Sequence, residues 1–123
     1  MLIRNILEES ARKFDEVKAV KWLNKKEIME RSYGELMENV GFTRKGLLAE
    51  GFEGKHIALI GTSSVEWMES YLGIITGCTT AVPLDAALPC EDLIDLLNRS
   101  DSAALFLSPK LRPYLDAFLG NCP

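Results

Sequence analysis

The periodicity of hydrophobic and polar positions changes part-way along the chain. At the N-terminus, apolar residues recur every three or four positions from Ile3 to Phe14, with charged residues between them, and predict an amphipathic surface helix. Two alternating segments, VKAVKWL and IMERSY, flank the turn sequence NKKE and predict a β-hairpin. Ser32 and Glu35 then have the spacing of a capping box. They predict a second helix, which ends at the two glycines of Glu50–Lys55 and carries Leu36, Val40, Leu47 and Leu48.

From Lys55 to Leu119 short apolar segments alternate with helical ones. HIALIG, TTAVPLD (stopped by Pro83) and SAALFL predict strands, the first of them buried on both faces. SVEWMESYLGIITG predicts a helix with two apolar stripes, so that almost all of it is buried. A helix from Pro89 to Arg99 and a proline-interrupted helix, PKLRPYLDAFL, follow. This order is typical of a three-layer α/β fold with a parallel sheet, to which the N-terminal helix and hairpin are attached.

Length and charge narrow the classes of function. The 123 residues predict a single domain over 1–123, and the net charge of −4 argues against nucleic acid or an anionic membrane as partner. No apolar run reaches the roughly 18 residues that a transmembrane helix needs. Carboxylates interrupt the N-terminal segment, so it does not resemble a signal peptide, and we expect a cytoplasmic protein. Cys78, Cys90 and Cys122 form no CxxC pair and are expected to be reduced thiols without a functional role.

The segment GTSSVEW (Gly61–Trp67) stands between a predicted strand and a helix, where phosphate loops and nucleophiles occur. It lacks the second glycine of a nucleophile elbow and of a dinucleotide fingerprint, because Val65 and Ser63 occupy those positions. Thr62, Ser63 or Ser64 can cap the helix, and Ser63 with Glu66 can close a capping box. Structural capping is therefore the favoured interpretation, with anion binding as the alternative.

Other candidate sites also have simpler explanations. The segment AEGFEGKH is not a phosphate loop, because Ala49 and His56 stand where glycine and Ser or Thr are required. No nucleophile is placed by spacing beside His56. The small residues Gly73 and Gly77 predict close packing of their helix on the sheet.

Asp85 follows the second strand of the sheet, at an edge where α/β folds bind ligands, but it can equally cap a turn. The carboxylates of Glu91, Asp92 and Asp95 predict a solvated helix edge rather than a metal site. The residues therefore predict no catalytic, cofactor-binding or metal-binding side chain in this chain.

Three segments resemble the adenylate-forming (AMP-binding) superfamily. RSYGEL (Arg31–Leu36) is similar to its T-Y-x-E-L element, and Gly54–Asp85 resembles its next block, which ends in V-P-L-N/D. Glu91–Phe106 is similar to the following helix–strand unit. The order and spacing of the three segments agree with the family. The chain departs from it at Lys55, Ser63 and Cys78, where the family has Asp, Asn and Gly.

The resemblance implies the first part of the large N-terminal domain of a ligase, most like a long-chain fatty acyl-CoA synthetase. Such an enzyme converts a carboxylic acid and ATP to an acyl-adenylate, with Mg²⁺, and then to a thioester with coenzyme A. The phosphate loop and the catalytic lysine of the family lie downstream of the region that this chain resembles. The expected cofactor set of the chain itself is therefore empty, and its expected activity is none.

Two classes of function remain open. The first is an inactive N-terminal fragment, whose partners are the remainder of the enzyme and further copies of itself, joined through bare apolar surfaces. The second is a small self-standing α/β binding or interaction module of the same ancestry. The acyl substrate and the choice of coenzyme A or a carrier protein as acceptor are left open by the sequence.

Overall fold

A computed structural model describes residues 2–121 of the protein, with the side chain of residue 121 excepted. Within this range the chain forms a hairpin, a parallel sheet and helices on both faces of that sheet. In chain order the elements are α1 (Ile3–Lys13), β1 (Lys18–Asn24), β2 (Glu27–Ser32), α2 (Tyr33–Ala49), β3 (His56–Ile60), α3 (Val65–Thr76), β4 (Thr80–Leu84), α4 (Cys90–Arg99), β5 (Ser102–Leu107), a 3₁₀ turn (Pro109–Tyr114) and α5 (Leu115–Asn121).

The N-terminal elements form as their sequence pattern predicts. Strands β1 and β2 pair antiparallel, and both central residues of their turn, Lys25 and Lys26, have positive φ angles of 50° and 75°. Such a two-residue turn matches the twist of the strands it joins. The predicted capping box is present, since Ser32 Oγ accepts from Glu35 N and Glu35 Oε1 accepts from Ser32 N, both at 3.1 Å. Helix α1 has no buried residue.

Helix α2 continues through its glycines and ends where left-handed backbone begins. It buries Leu36, Val40 and Leu47, whereas Leu48 of the predicted apolar set is exposed. Gly51 and Gly54 follow the helix with φ angles of 79° and 76°. This conformation is cheap for glycine and costly for other residues, so the two positions fix where the chain turns into the sheet.

The sheet is parallel, in the order β4-β3-β5. Central β3 is buried on both faces, as predicted. Ala58 and Ile60 pack with side chains of α4 and α5, namely Leu93, Leu97 and Phe118. Ile57 and Leu59 pack on the other face with Leu47 of α2 and Ile74 of α3. The three-layer α/β arrangement is therefore confirmed.

Pro83 lies inside β4 and does not stop it. Thr80 N donates to Lys55 O at 3.0 Å, so residues 80, 82 and 84 direct their backbone groups toward β3 and residues 81 and 83 direct theirs outward. Proline has no N–H to donate, and at position 83 the missing donor faces away from β3. The strand therefore continues to Leu84 without loss of a ladder hydrogen bond.

Helix α3 is less apolar on its buried side than its sequence predicts. Its fully buried positions are Val65, Glu69, Gly73, Ile74 and Thr76. Most of the two predicted stripes is only half-buried, at Trp67, Met68, Tyr71, Leu72 and Ile75. The difference arises because α3 is covered by α2 on one side and by the sheet on another, and the side toward α2 accepts small and polar residues.

The last segment is a 3₁₀ turn that contains Pro113 and passes into α5, in agreement with the predicted interruption. Among residues 2–121, none of the helices has the length and hydropathy that crossing a membrane requires.

Candidate functional site

The order in which strands are added to the sheet reverses at β3. The connection after β3 leads to β4 on one side, and the connection after β4 returns to β5 on the other side. Open α/β sheets bind ligands at such switch points, outside the carboxyl ends of the strands. The loops that follow β3 and β5 therefore frame the place in this fold where a ligand would be sought.

A cleft lies at that place. One cavity of about 490 Å³ lies between the loop after β3 and the loop after β5. A second, of about 640 Å³, extends past Asp85 toward the end of β4. Both are lined by Gly61, Thr62, Trp67 and Lys110. The lining offers hydroxyl groups, one ammonium group (Lys110), two carboxylates (Glu66 and Asp85) and an aromatic wall.

The floor of the cleft depends on Gly61. A Cβ atom at this position would lie 3.1 Å from Ser108 Cβ and 3.4 Å from Trp67 Cδ1. Ser108 N also donates to Ile60 O at 2.9 Å, which joins the two loops directly. The Trp67 ring stacks on that of Tyr71, with centroids 5.2 Å apart and an angle of 11° between the planes. A side chain at position 61 would therefore need Ser108 or the indole ring to shift by a few tenths of an ångström, and glycine lets the two loops and the ring approach closely.

The GTSSVEW segment caps a helix, but not through the residues predicted for a capping box. Ser64 is the N-cap, and its Oγ accepts from Trp67 N at 3.1 Å. The predicted box between Ser63 and Glu66 is wrong by one position. Because Ser64 is still extended and Val65 is the first helical residue, the third helical position is Trp67, which has no carboxylate to return the bond.

The structure does not bring the remaining candidate residues together at one site. Asp85 Oδ1 accepts from Ala87 N at 2.9 Å, as expected of a turn-capping residue. His56 lies at the opposite, amino end of β3, where Nδ1 is 2.8 Å from Ser100 O and donates to it. Cys78 is exposed and Cys90 half-buried, both as free thiols, while Cys122 lies outside the described residues.

No metal site is formed by the part of the chain that the structure describes. There, no three His, Cys, Asp or Glu side chains converge on one point. Glu91 and Asp92 are exposed, and Asp95 pairs with Arg99 at 3.0 Å on the same helix. A nucleotide with its Mg²⁺ does not fit these residues, since Lys110 is the single cation lining the cleft among the described residues.

A polar cluster around the buried Glu69, which the sequence did not predict, joins the hairpin to the helices. Glu69 of α3 accepts from Asn39 Nδ2 of α2 at 2.7 Å and lies 3.2 Å from Arg31 Nε of β2. The Arg31 N–H does not point along that line, so its ion pair with Glu69 is not a hydrogen bond. Arg31 also covers the Trp22 ring, with Cζ 5.4 Å from the centroid. The cluster attaches β1 and β2 to the body of the fold.

Burial dominates the electrostatics of Glu69. It raises the pKa of the carboxyl group above the ordinary value, and the negative charges of Glu66 and Glu35 raise it further. The hydrogen bond from Asn39 and the charge of Arg31 lower the pKa in part. The sequence did contain a signal for the burial of Glu69. It lies four residues after Val65 and four before Gly73, and therefore on the same helix face as these two residues.

The small residues of α3 face α2, not the sheet as predicted. A Cβ atom at Gly73 would lie 2.5 Å from Thr43 Cβ and 3.1 Å from Val40 O, both in α2. At Gly77 it would meet Arg44 Cγ at 3.2 Å. These two glycines let the helices approach each other, and the prediction failed because spacing alone does not say which element lies opposite.

Comparison with known proteins supports the fold and identifies a family. The model of the AMP-binding enzyme family matches residues 7–120. No curated protein sequence matches the chain. Similar solved structures include the anthranilate CoA ligase AuaEII in complex with anthranoyl-AMP, at 19% identity and a TM-score of 0.86, over 100% of this chain and 23% of that one.

Two further similar structures come from Mycobacterium tuberculosis. The N-terminal domain of FACL13, with an inhibitor bound, has 20% identity and a TM-score of 0.86 over 99% of this chain and 30% of that one. A fatty acyl CoA synthetase has 20% identity and a TM-score of 0.85 over 98% and 24%. At these identities the likeness shows the fold, and the chain spans about a quarter to a third of the length of these structures.

Proposed function

The chain belongs to the AMP-binding enzyme family of adenylate-forming ligases, and from this premise we propose that it forms the first part of the large N-terminal domain of a fatty acyl-CoA synthetase. The complete enzyme would join a fatty acid to AMP with release of pyrophosphate from ATP, and then transfer the acyl group to coenzyme A. The observation that carries the proposal is the family match over 7–120, nearly the whole chain.

Support for a fatty acid comes from relatives of the same fold. One of the similar structures is a fatty acyl CoA synthetase, and another is a putative long-chain fatty acid CoA ligase from Rhodopseudomonas palustris, with a TM-score of 0.84. The anthranilate ligase, by contrast, holds an aromatic acyl-adenylate. The aromatic acids are therefore the competing substrate class.

The role proposed for residues 1–123 is structural. Within the described residues the switch-point cleft contains no nucleophile paired with a general base, and these residues do not fit a magnesium–nucleotide complex. We derive no catalytic step from them. ATP, Mg²⁺ and coenzyme A would be held by the remainder of the enzyme, with the cleft facing it. In the same proposal the protein acts in the cytoplasm, and the chain by itself is inactive and associates with copies of itself.

The first test reads the encoding gene beyond codon 123. A Ser/Thr/Gly-rich loop following a strand supports the ligase, whereas a stop codon favours the small binding module and contradicts the proposal. The second test mixes the purified chain with ATP, Mg²⁺, coenzyme A and either palmitate or anthranilate, and measures pyrophosphate. We expect no acid-dependent release, and release from the pure chain would overturn its structural role.

The gene product that contains the chain serves as the control in the same assay. Palmitate-dependent release from that product supports the fatty acid assignment. Release with anthranilate and not with palmitate contradicts the substrate while leaving the ligase reaction in place.

A further inference from the structure

The β1–β2 hairpin has an inner and an outer face. Residues that lie opposite each other in an antiparallel pair share a face, and the faces alternate along each strand. Leu23 and Ile28 form such a pair on the outer face, where they are 75% and 68% exposed. Trp22 and Arg31 lie on the inner face and are half-buried. The hairpin therefore meets the rest of the fold through one face only.

Burial and backbone hydrogen bonding are concentrated at the base of the hairpin. Of the residues in β1 and β2, Ser32 alone is buried, and it is the last residue of β2. Next to it, Tyr33 N donates to Val17 O at 2.9 Å and Gly34 N donates to Asp15 O at 3.0 Å. These two bonds join the segment before β1 to the start of α2. The hairpin is thus fixed where it leaves the fold and exposed at its turn.

Beyond the base, one ion pair joins the hairpin to the helices in the part of the chain that the structure describes. Arg31 Nε of β2 lies 3.2 Å from Glu69 Oε2 of α3. The other ion pairs of the hairpin, which Glu30 makes with Lys18 and Lys21, lie within the hairpin itself. Most of the remaining contacts of β1 and β2 are with each other rather than with α2. The side chain of Arg31 therefore carries most of the attachment outside the base.

The side chain of Arg31 is held between an aromatic ring and a carboxylate. Its guanidinium group covers the ring of Trp22, and its partner Glu69 accepts the hydrogen bond from Asn39. Rotation of the hairpin away from α3 would separate Arg31 from Glu69. Glu69 is buried, and a buried carboxylate that loses its cationic partner is strongly destabilised. The ion pair therefore opposes this rotation.

We propose that the hairpin (Lys18–Ser32) is a hinged flap, which opens about its base as one unit while the parallel sheet stays folded, and that the Arg31–Glu69 ion pair is the latch that keeps it closed. Segments with little buried apolar surface open at a lower free energy than the core of the same protein. Strand β3, by contrast, is enclosed on both faces by apolar side chains. The inference goes beyond the proposed function and does not rest on the ligase assignment.

Native-state hydrogen exchange of the purified chain at pH 7 and low denaturant concentration tests the proposal. The method measures the free energy of opening at each protected amide. We expect the protected amides of β1 and β2 to have protection factors at least about a hundredfold lower than those of Ile57–Ile60 in β3. Their exchange should also depend less steeply on denaturant, because opening of the flap exposes less surface than global unfolding.

Two substitutions distinguish opening of the flap from global unfolding. Ile60→Val should lower the protection of β3 about three- to tenfold and leave that of the hairpin within about twofold, because the sheet stays folded when the flap is open. Arg31→Met should lower the protection of both regions at least about fivefold, because it destabilises the closed state relative to the open and the unfolded states alike.

Lys21→Met is the matched control for Arg31→Met. It also replaces a cation of the hairpin by methionine, but Lys21 is exposed and shares the outer face with Leu23. It should change the protection of the hairpin less than about twofold. In a Glu69→Gln background Arg31→Met should also have less than about a twofold effect, because the ionic partner is already absent.

Four results would overturn the proposal. Hairpin amides as protected as those of β3, or a parallel loss in both regions for Ile60→Val, would show that the hairpin and the sheet open together. Equal effects of Arg31→Met and Lys21→Met, or an undiminished effect of Arg31→Met in the Glu69→Gln background, would show that the ion pair is not the latch. Each result leaves the ligase assignment intact, because that assignment is tested by the gene and the pyrophosphate assay.

Discussion

The parallel sheet and the N-terminal attachment are held by different kinds of interaction. Strand β3 buries four consecutive residues, Ile57–Ile60, between two apolar clusters. Helix α1 buries no residue, and the hairpin is attached to the body by the cluster of Arg31, Asn39 and Glu69. The parallel sheet is stabilised mainly by burial of apolar surface. The N-terminal attachment is held in place by a few polar contacts and by close helix packing.

The largest effect is expected in the sheet. Ile60→Ala should lower the free energy of unfolding by about 2–5 kcal/mol, because Ile60 is fully buried and its removal leaves a cavity. Urea unfolding followed by circular dichroism measures the change. Leu23→Ala on the hairpin is the matched control and should cost less than about 0.5 kcal/mol. Similar losses for both variants would show that the two regions are not stabilised differently.

The second effect concerns the contact between α2 and α3. Gly73→Ala should destabilise the protein by about 1–3 kcal/mol despite its better helix propensity, because its Cβ would lie 2.5 Å from Thr43 Cβ. Gly46→Ala is the control, since a Cβ there meets nothing within 4 Å, and it should stabilise the protein by up to about 1 kcal/mol. Thermal unfolding of both variants distinguishes the two. A shift of the same sign in both would mean that propensity alone governs Gly73.

Features set by local sequence patterns were predicted correctly, whereas features set by contacts between distant elements were not. The hairpin, the Ser32–Glu35 capping box and the buried strand β3 are local patterns, and each was predicted correctly. The partner of Gly73 and the burial of Glu69 depend on which helix lies opposite α3, and no local pattern contains that information. Family resemblance located the fold correctly, as the match over 7–120 confirms.

The helix cap after β3 shows how small such an error can be. Both Ser63 and Ser64 have the chemistry of an N-cap, and only the backbone angles show that the helix begins at Val65. A shift of one residue replaces the expected carboxylate partner by Trp67. The cleft could not be predicted from local sequence either. Lys110 and Gly61 are far apart in sequence, and they line one cavity only because β3 and β5 pair.

The third effect is a dependence of the protein's stability on pH, which arises from Glu69 in the cluster that attaches the hairpin. The unfolded chain releases the proton of Glu69 near the ordinary value of 4.5, whereas burial lets the folded protein keep it to higher pH. Between these two pKa values the folded state binds more protons, so its stability falls as the pH rises and is constant above the interval. Glu69→Gln should remove this part of the slope and change the free energy of unfolding at pH 7 by about 1 kcal/mol.

Chemical unfolding of both proteins from pH 4 to pH 8 measures this slope. Glu53→Gln is the control, because Glu53 is exposed and its charge is not one of those that shift the pKa of Glu69, so it should leave the slope nearly unchanged. An identical pH dependence in Glu69→Gln and the unsubstituted protein would show that the carboxyl group titrates as it does in the unfolded chain. The cluster around Glu69 would then make no pH-dependent contribution to stability.

The smallest effect is expected on α1. Lys13 Nζ lies 2.9 Å from Glu9 Oε1, one helical turn earlier, and both side chains are more than half exposed. Exposed pairs at this spacing contribute only a few tenths of a kcal/mol, because water and salt screen the charges. Lys13→Ala should therefore change the free energy of unfolding by less than about 0.5 kcal/mol, and less still in 1 M NaCl. A loss above about 1 kcal/mol in chemical unfolding would mean that α1 is integrated with the sheet, and the distinction between the two regions would then apply to the hairpin alone.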